Sequence, residues 1–327
     1  MSDNRFPLVS VIMPVYNGED FIDAAITSIL EQTYQNLELI LIDDCGMDKS
    51  MEKVSYYAQK DERVRIIHNP HNMGIAYARN IGMRQSHGKY IAIMDDDDWA
   101  YPARIQKQAD FLESHPEYGV VGAMTQWIDE NANVIKWEKA MPADPLKVKA
   151  FFLFYNIFNN SEVMFRKEIM ERYKISYEDH MLGMEDFKFW IRMSKVTNIT
   201  NLNEVLVQHR ITENSETSRI IREQGGVRRQ KFAQLQRYSL EQSGFTLKEE
   251  EYEFLSDMLR EEGIKKDAKG HEMIRLFYIF YDLVCQARQA NMDITMVIAE
   301  WFRNLYVEKI NAMQILDLWG DGDVWNG

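Results

Sequence analysis

Three short apolar runs in the amino-terminal part of the chain each stop at residues suited to holding a ligand. Val9–Met13 leads into Pro14-Val15-Tyr16-Asn17, Leu37–Ile42 into Asp43-Asp44, and Tyr90–Met94 into Asp95-Asp96-Asp97-Asp98. Between them apolar residues recur at helical spacing: Phe21, Ile22, Ala25, Ile26, Ile29 and Leu30, then Met51, Val54, Tyr57 and Ala58, then a third stretch from about Ile75. Leu39, Ile40, Leu41 and Ile42 leave no polar face, as in a parallel strand covered on both sides. This alternation predicts a wound α/β sheet, in which ligands sit beyond the carboxyl ends of the strands. Asn17, Asp43, Asp44 and the run from Asp95 all fall there. A dinucleotide-binding fold shares the alternation. However, the Pro-Val-Tyr-Asn-Gly turn lacks the glycine spacing that lets backbone approach a pyrophosphate.

Beyond Pro102 the pattern loosens. Ile105, Ala109 and Leu112 predict a helix ending before Pro116, and Val120–Trp127 with Val134–Trp137 predict a hairpin around the turn from Asp129 to Asn133. A helix over Leu146–Phe154 and a strand over Glu162–Phe165 follow. Glu185-Asp186 opens a helix whose Phe187, Trp190, Ile191 and Met193 face inward, and Val205–Val207 runs into Gln208-His209-Arg210. After Thr212–Arg219 the rest reads as helical throughout. Ile274, Phe277, Tyr278, Tyr281, Val284 and Cys285 form one stripe, and Phe302, Leu305, Tyr306, Ile310, Met313 and Leu316 another; both are expected to pack inward. The expected division is residues 1–218 and a helical extension, 219–327, on the first domain or on a second subunit in a homodimer.

Charge narrows the partners. With 51 acidic and 38 basic residues the formal charge is -13, which repels phosphate backbones and anionic lipid. Nucleic acid is therefore not an expected partner. Cys45 and Cys285 make no disulfide framework, and no apolar stretch has a spanning helix's length. The amino end lacks a signal-peptide pattern. A cytoplasmic protein is expected, with at most a surface contact on the cytoplasmic face of the membrane.

Four consecutive carboxylates at a strand end repel one another unless a cation lies between them. Hard oxygen ligands select Mg²⁺ or Mn²⁺, and a Mg²⁺ site of one or two carboxylates leaves positions for substrate phosphates. A nucleotide or diphosphate substrate follows as an expectation. Asp186, at a helix start, is a candidate general base for a hydroxyl poised to attack; the plainer reading of Glu185-Asp186 is a pair of helix-dipole partners.

The segments VSVIMPVYNGEDFIDAAITSILEQTYQNLELILIDDCGMD, NMGIAYARNIGMRQSHGKYIAIMDDDDWAYPARIQKQ and GMEDFKFWIRM, in this order, resemble the family 2 glycosyltransferases of the GT-A fold from about Pro7 to Ser218. The resemblance implies a mixed α/β sheet with helices on both faces. It also implies transfer of a sugar from a nucleotide-diphosphate donor, with a UDP-sugar expected, to an acceptor hydroxyl with inversion, in the synthesis of a cell-surface polysaccharide, glycan or glycolipid. By the same resemblance Pro14, Tyr16, Asn17 and Asp43 or Asp44 contact the nucleoside. Arg79 and the Asp95-Asp96-Asp97-Asp98 motif hold the diphosphate, the motif through Mg²⁺ or Mn²⁺. Asp97 is the main metal-facing residue, with Asp95 as the other Asp-x-Asp member and Asp98 as competitor. Asp186 maps to the catalytic base, and Glu185 orients it or touches the acceptor.

Two departures stand out. Cys45-Gly46 replaces a common glycine-serine pair, and Thr212 stands where the family often has a histidine near the metal. Arg210 is then the better phosphate contact, and His209 is either a substitute or a structural histidine. Trp99 either stacks on a sugar or caps the core, and Trp190 is assigned to the core. A non-catalytic carbohydrate- or nucleotide-binding module would keep the crevice without needing Asp186. A nucleotidyltransferase is disfavoured because no glycine-rich basic loop occupies Met13–Asp20.

Overall fold

A computed structural model describes residues 7–137, 141–213, 215–261, 263–300 and 303–304. Its strands are β1 (Val9–Val15), β2 (Leu37–Asp43), β3 (Val64–His68), β4 (Tyr90–Ile93), β5 (Trp99–Ala100), β6 (Tyr118–Ile128), β7 (Val134–Trp137), β8 (Met164–Arg166), β9 (Asn198–Arg210), β10 (Leu259–Arg260) and β11 (Gly263–Ile264). The helices are α1 (Ile22–Leu30), α2 (Ser50–Lys60), α3 (Ile75–Gln85), α4 (Arg104–Ser114), α5 (Pro145–Phe152), α6 (Lys167–Tyr173), α7 (Glu185–Ser194), α8 (Glu216–Gln242), α9 (Glu249–Met258) and α10 (Gly270–Gln289). The chain forms two compact units. The first holds Met1–Pro145 and Asn156–Gln224, the second Leu146–Tyr155 and Gly225–Gly327. It passes from the first to the second between Pro145 and Leu146, returns at Asn156, and leaves the first finally inside α8, where Gln224 has non-helical backbone angles and Gly225-Gly226 follows.

In the first unit one sheet runs β3-β2-β1-β4-β8-β6-β9-β5, with β7 paired to β6. Strands β1 to β4 are parallel to one another, and β8 enters antiparallel to β4. Val9, Val11, Met13 and Val15 of β1 pack with Ile22, Ala25, Ile26 and Ile29 of α1, Val54 of α2 and Ile105, Ala109 and Leu112 of α4. On the other face Gly82 of α3 lies so close to Ile12 and Ile42 that a Cβ there would sit 2.5 Å from Ile12 Cγ2. Helices therefore cover both faces, which is why the central strands are apolar throughout. The order reverses at β1, with β2 on one side and β4 on the other, so the switch point, where sheets of this kind take their ligands, lies beside Tyr16 and the residues after β4.

The second unit has its own core, in which Ala150, Leu153 and Phe154 pack with Leu240, Phe245, Leu255, Leu276, Phe280 and Leu283. Two expectations fail here. The carboxyl-terminal part is not helical throughout, because Leu259–Arg260 and Gly263–Ile264 pair as a short antiparallel ladder. The stripe assigned to the interior of α10 is also on the wrong face: Ile274, Tyr278 and Tyr281 are 50%, 65% and 60% exposed, and Phe277 is exposed as well. The buried face is Met273, Leu276, Ile279, Phe280, Leu283 and Ala287. Both faces carry apolar residues at helical spacing. The buried face carries no polar side chain, while the face with both tyrosines, on which Ile274 and Phe277 also lie, keeps their hydroxyls near water. The stripe from Phe302 to Leu316 lies outside the described residues.

Candidate active site

The acidic turn after β4 is built around buried cations. Arg79 of α3 is 2% exposed; its Nη2 donates to Asp95 Oδ1 at 2.7 Å and its Nη1 to Glu185 Oε1 at 2.8 Å. Burial opposes its charge, but Asp95 and Glu185 outweigh burial and hold the guanidinium firmly protonated. On α4, Arg104 is fully buried and donates to Ile93 O at 2.8 Å; burial pulls its pKa down to about 10. Asp98, also buried, faces His209 Nδ1 at 2.9 Å and accepts from the Arg210 backbone N–H at 2.9 Å. Burial raises its pKa, yet His209 and these hydrogen bonds hold it below the ordinary aspartate range, and Asp98 in turn pushes His209 up to about 10. The Asp95 N–H donates to Ser161 Oγ at 3.0 Å.

Among the described residues the other two carboxylates, Asp96 and Asp97, make no direct ion pair, although the His209 charge acts on Asp97 from a distance. Asp96 Oδ2 accepts from the Tyr16 N–H at 3.1 Å, and no described residue donates a hydrogen bond to the Asp97 carboxyl. Burial first, then the neighbouring aspartates, raises both above the ordinary range. Gly18 makes the Asp96 position possible, since a Cβ there would lie 2.5 Å from Asp96 Oδ2. Crowded oxygen donors that resist ionisation in the absence of a cation fit a hard divalent ion. Among the described residues no three His, Cys, Asp or Glu side chains converge as a ready-made metal cage. Of the three expected ligands, Asp95 and Asp98 are already engaged by protein partners, and Asp97 is the one left open.

The first two strand ends are tied together. Asn17 has a left-handed φ of 53°, and its Oδ1 accepts from the Met47 N–H at 2.8 Å. Tyr16 is 51% exposed at the mouth, whereas Pro14 is buried within β1. Asp43 accepts from the Cys45 N–H at 2.9 Å and faces His68 Nδ1 at 2.8 Å. Asp44 is 3% exposed and accepts from Asn69 Nδ2, the Met73 N–H and the Gly74 N–H at 2.7, 2.8 and 2.9 Å. It fixes the loop that enters α3, which leaves Asp43 as the more accessible of the pair. Cys45 takes a φ of 62°, which a glycine would adopt without strain.

On the other side, α7 begins with Glu185, held by Arg79, and Asp186, whose Oδ1 accepts from the Phe187 N–H at 2.6 Å and whose Oδ2 accepts from Asn156 Nδ2 at 2.9 Å. The preceding loop holds His180, Leu182 and Gly183 at φ values of 60°, 55° and 71°. At His180 and Leu182, which lack a glycine's freedom, the left-handed backbone is strain of the kind that collects at functional loops, while Gly183 adopts it without cost. Arg79 and Arg210 do not present free guanidinium groups. Arg79 is the bridge just described. Arg210 donates to the carbonyls of Asp97, Asp129 and Glu130 at 3.0, 2.9 and 3.1 Å and lies over the Phe21 ring. Trp190 is wholly buried, as expected of a core residue, and Trp99 meets Tyr101 edge to face at 4.8 Å. Arg104, Ser161 and Asn156 were invisible in the sequence. Each carries common chemistry at no telling spacing.

A mixed sheet with parallel strands β1 to β4, helices on both faces and an acidic turn at the β1/β4 switch point defines the GT-A glycosyltransferase fold. Solved structures share it. TarS residues 1–349 from S. aureus, in complex with UDP-GlcNAc, align with a TM-score of 0.62 at 17% identity over 94% of this chain and 91% of that one. The mannosyltransferase PcManGT from Pyrobaculum calidifontis, in complex with GDP-Man and Mn²⁺, aligns with a TM-score of 0.57 at 17% identity over 96% and 88%. The chain belongs to glycosyl transferase family 2, whose model matches residues 10–174. An uncharacterized glycosyltransferase of Haemophilus influenzae is 34% identical over 219 residues, 65% of this chain and 68% of that protein. Among the described residues no helix is long and apolar enough to cross a membrane.

Proposed function

We propose that this glycosyltransferase is an inverting enzyme that moves a sugar from a nucleotide-diphosphate donor to a hydroxyl of a glycan or glycolipid acceptor. The observation that carries the reading is the pairing of Arg79 with both Asp95 and Glu185, which brings the acidic turn and the start of α7 to opposite ends of one guanidinium. The donor's nucleoside would lie along Tyr16, Asn17 and Asp43. Its diphosphate would lie toward Asp96 and Asp97, the two carboxylates not ion-paired with a described residue. These two would hold Mg²⁺ or Mn²⁺, and the ion, when bound, offsets the charge gathering on the departing diphosphate. The UDP-GlcNAc of TarS and the GDP-Man and Mn²⁺ of PcManGT support this class of donor and cofactor.

The acceptor oxygen attacks the anomeric carbon from the face away from the diphosphate. As the new C–O bond forms, the hydroxyl proton passes to Asp186 and the bond to the diphosphate breaks. The direct displacement inverts the anomeric configuration and needs no enzyme nucleophile. Glu185, neutralised by Arg79, keeps the start of α7 in place without adding a second free carboxylate beside the base.

The test is a nucleotide-sugar panel with Mn²⁺, read as released nucleotide and product mass, on the parent, Asp186→Asn and Asp97→Ala. Asp186→Asn should bind nucleotide like the parent and transfer roughly 10²-fold more slowly, because it retains size but cannot take the proton. Asp97→Ala should lose the Mn²⁺-dependent part of nucleotide binding. Transfer by Asp186→Asn at the parent rate would move the base elsewhere, with Glu185 the next residue to test.

A further inference from the structure

Asn156 lies just before the short 3-10 turn at Asn160–Glu162, far in sequence from α7. Its side chain makes three hydrogen bonds. Nδ2 donates to Phe158 O at 3.0 Å and to Asp186 Oδ2 at 2.9 Å, and Oδ1 accepts from the Phe158 N–H at 3.2 Å. The last bond determines which end of the amide faces Asp186. With the amide turned over, Oδ1 would oppose both the Phe158 carbonyl and a carboxylate oxygen and Nδ2 would oppose an N–H, so all three favourable contacts would become repulsive. The Phe187 N–H holds the other oxygen, Asp186 Oδ1, at 2.6 Å. The plane of the carboxylate is thus set from both sides.

The loop carrying Asn156 is itself anchored by packing. Phe158 meets Trp190 of α7 edge to face at 5.7 Å, and it sits against β6 only because residue 122 is glycine. A Cβ there would fall 2.3 Å from Phe158 Cε1. The loop therefore joins α7 at two points, the carboxylate of Asp186 and the indole one turn further along.

We propose that Asn156 is a positioning residue for the catalytic base, holding Asp186 Oδ2 in the orientation that receives the acceptor's proton. This rests on the reading of Asp186 as the base. Asn156 needs no contact with donor or acceptor, so its removal acts on transfer and leaves donor binding alone. A proton acceptor displaced by as little as an ångström loses much of its effect, since general-base catalysis depends on hydrogen-bond reach to the attacking hydroxyl.

The experiment compares Asn156→Leu and Asn156→Ser with the parent, each also combined with Asp186→Asn. Nucleotide affinity is measured by titration and transfer by product mass and nucleotide release. Asn156→Leu keeps the volume without the amide and should lower kcat by roughly tenfold or more, with the acceptor KM and nucleotide Kd within about twofold of the parent. In the Asp186→Asn background the same change should lower transfer no further, because a residue that acts through Asp186 has nothing left to position. Asn156→Ser, too short to reach Asp186, covers the case in which the leucine variant does not fold. Parent-rate transfer by both single variants overturns the proposal. So does a kcat loss matched by a loss of donor affinity, or an equal loss in the Asp186→Asn background. Failure of the base reading is seen separately, in Asp186→Asn alone transferring at the parent rate.

Discussion

Asp95 and Glu185 accept hydrogen bonds from the two terminal nitrogens of a single buried guanidinium, that of Arg79. One carboxylate belongs to the turn after β4 and the other to the first residue of α7, so a single side chain sets the distance between the proposed donor end and base end of the crevice. Nothing in the three short segments that carry these residues shows that they meet.

Removing Arg79 should therefore be costly to the fold. Arg79→Leu leaves Glu185, 8% exposed at its side chain, with an unpaired charge, and breaking a buried pair by deleting one partner costs about 3–5 kcal/mol. Urea unfolding of the parent, Arg79→Leu and Arg79→Leu/Glu185→Gln reads it. The double variant should regain part of the loss, because the orphaned charge is gone. An unchanged midpoint for the single variant would mean that the bridge contributes no stability.

Gly18 is predicted to be intolerant of even one methyl group. The Cβ of Gly18→Ala would meet Asp96 Oδ2, itself held by the Tyr16 N–H, so either the carboxylate or the Tyr16 turn must move. Nucleotide affinity in the presence of Mn²⁺ should fall by about tenfold, equivalent to about 1.4 kcal/mol. Gly225→Ala is the control, since nothing lies within 4 Å of its added Cβ. Equal affinities in the two variants would separate Asp96 from donor binding.

Glu38 gives stability a pH dependence away from the site. It is buried on β2, where burial favours its neutral form, but hydrogen bonds from Ser10 Oγ at 2.6 Å, the His87 N–H at 2.7 Å and Arg65 at 2.5 Å outweigh burial and hold its pKa below the ordinary value. A group whose folded pKa is depressed contributes fully above its unfolded value, about 4.3 for glutamate, and loses that contribution as pH falls through the folded value. The stability difference between the parent and Glu38→Gln should be largest near neutrality and shrink as the pH drops below about 4. A difference that stays constant from neutral to acid pH would contradict the assignment.

The two faces of α10 should answer mutation differently. Phe280→Ala empties a fully buried position and should cost about 3–5 kcal/mol, while Tyr278→Ser and Tyr281→Ser, both well exposed, should stay within about 0.5 kcal/mol. Thermal melts of the three variants decide it, and a large loss from either serine variant would return the tyrosine stripe to the interior.

What the sequence revealed and what it hid divide along physical lines. Strands β1, β2 and β4 were legible because burial on both faces demands unbroken apolar runs, and α1 because only one of its faces is buried. The acidic turn was legible because four carboxylates in a row have few purely structural uses. In α10 apolar residues on both faces gave periodicity no way to choose between Phe280 and Tyr281. Asp44 read as the equal of Asp43, because sequence cannot tell a carboxylate turned toward the Met73 and Gly74 amides from one turned toward the crevice. Arg79 read as a phosphate ligand, since its burial between Asp95 and Glu185 is decided by the packing of α3 and α7. Asn156 carried no signal at all, because its role arises from a single contact across the fold.

The second unit is discontinuous in the chain, and this affects how the protein is made. Phe154 meets Phe280 with tilted rings, centroids 5.1 Å apart, in the core that Leu240, Phe245 and Leu276 complete. During synthesis the piece from Leu146 to Tyr155 emerges from the ribosome first. It then waits with Leu153 and Phe154 uncovered while the last two strands of the sheet, β8 and β9, helices α6 and α7 and all of α8 to α10 are translated. An apolar segment held open in this way is a target for chaperones and a seed for misassociation, so the yield of folded protein from a living cell should depend on translation speed through α8 to α10.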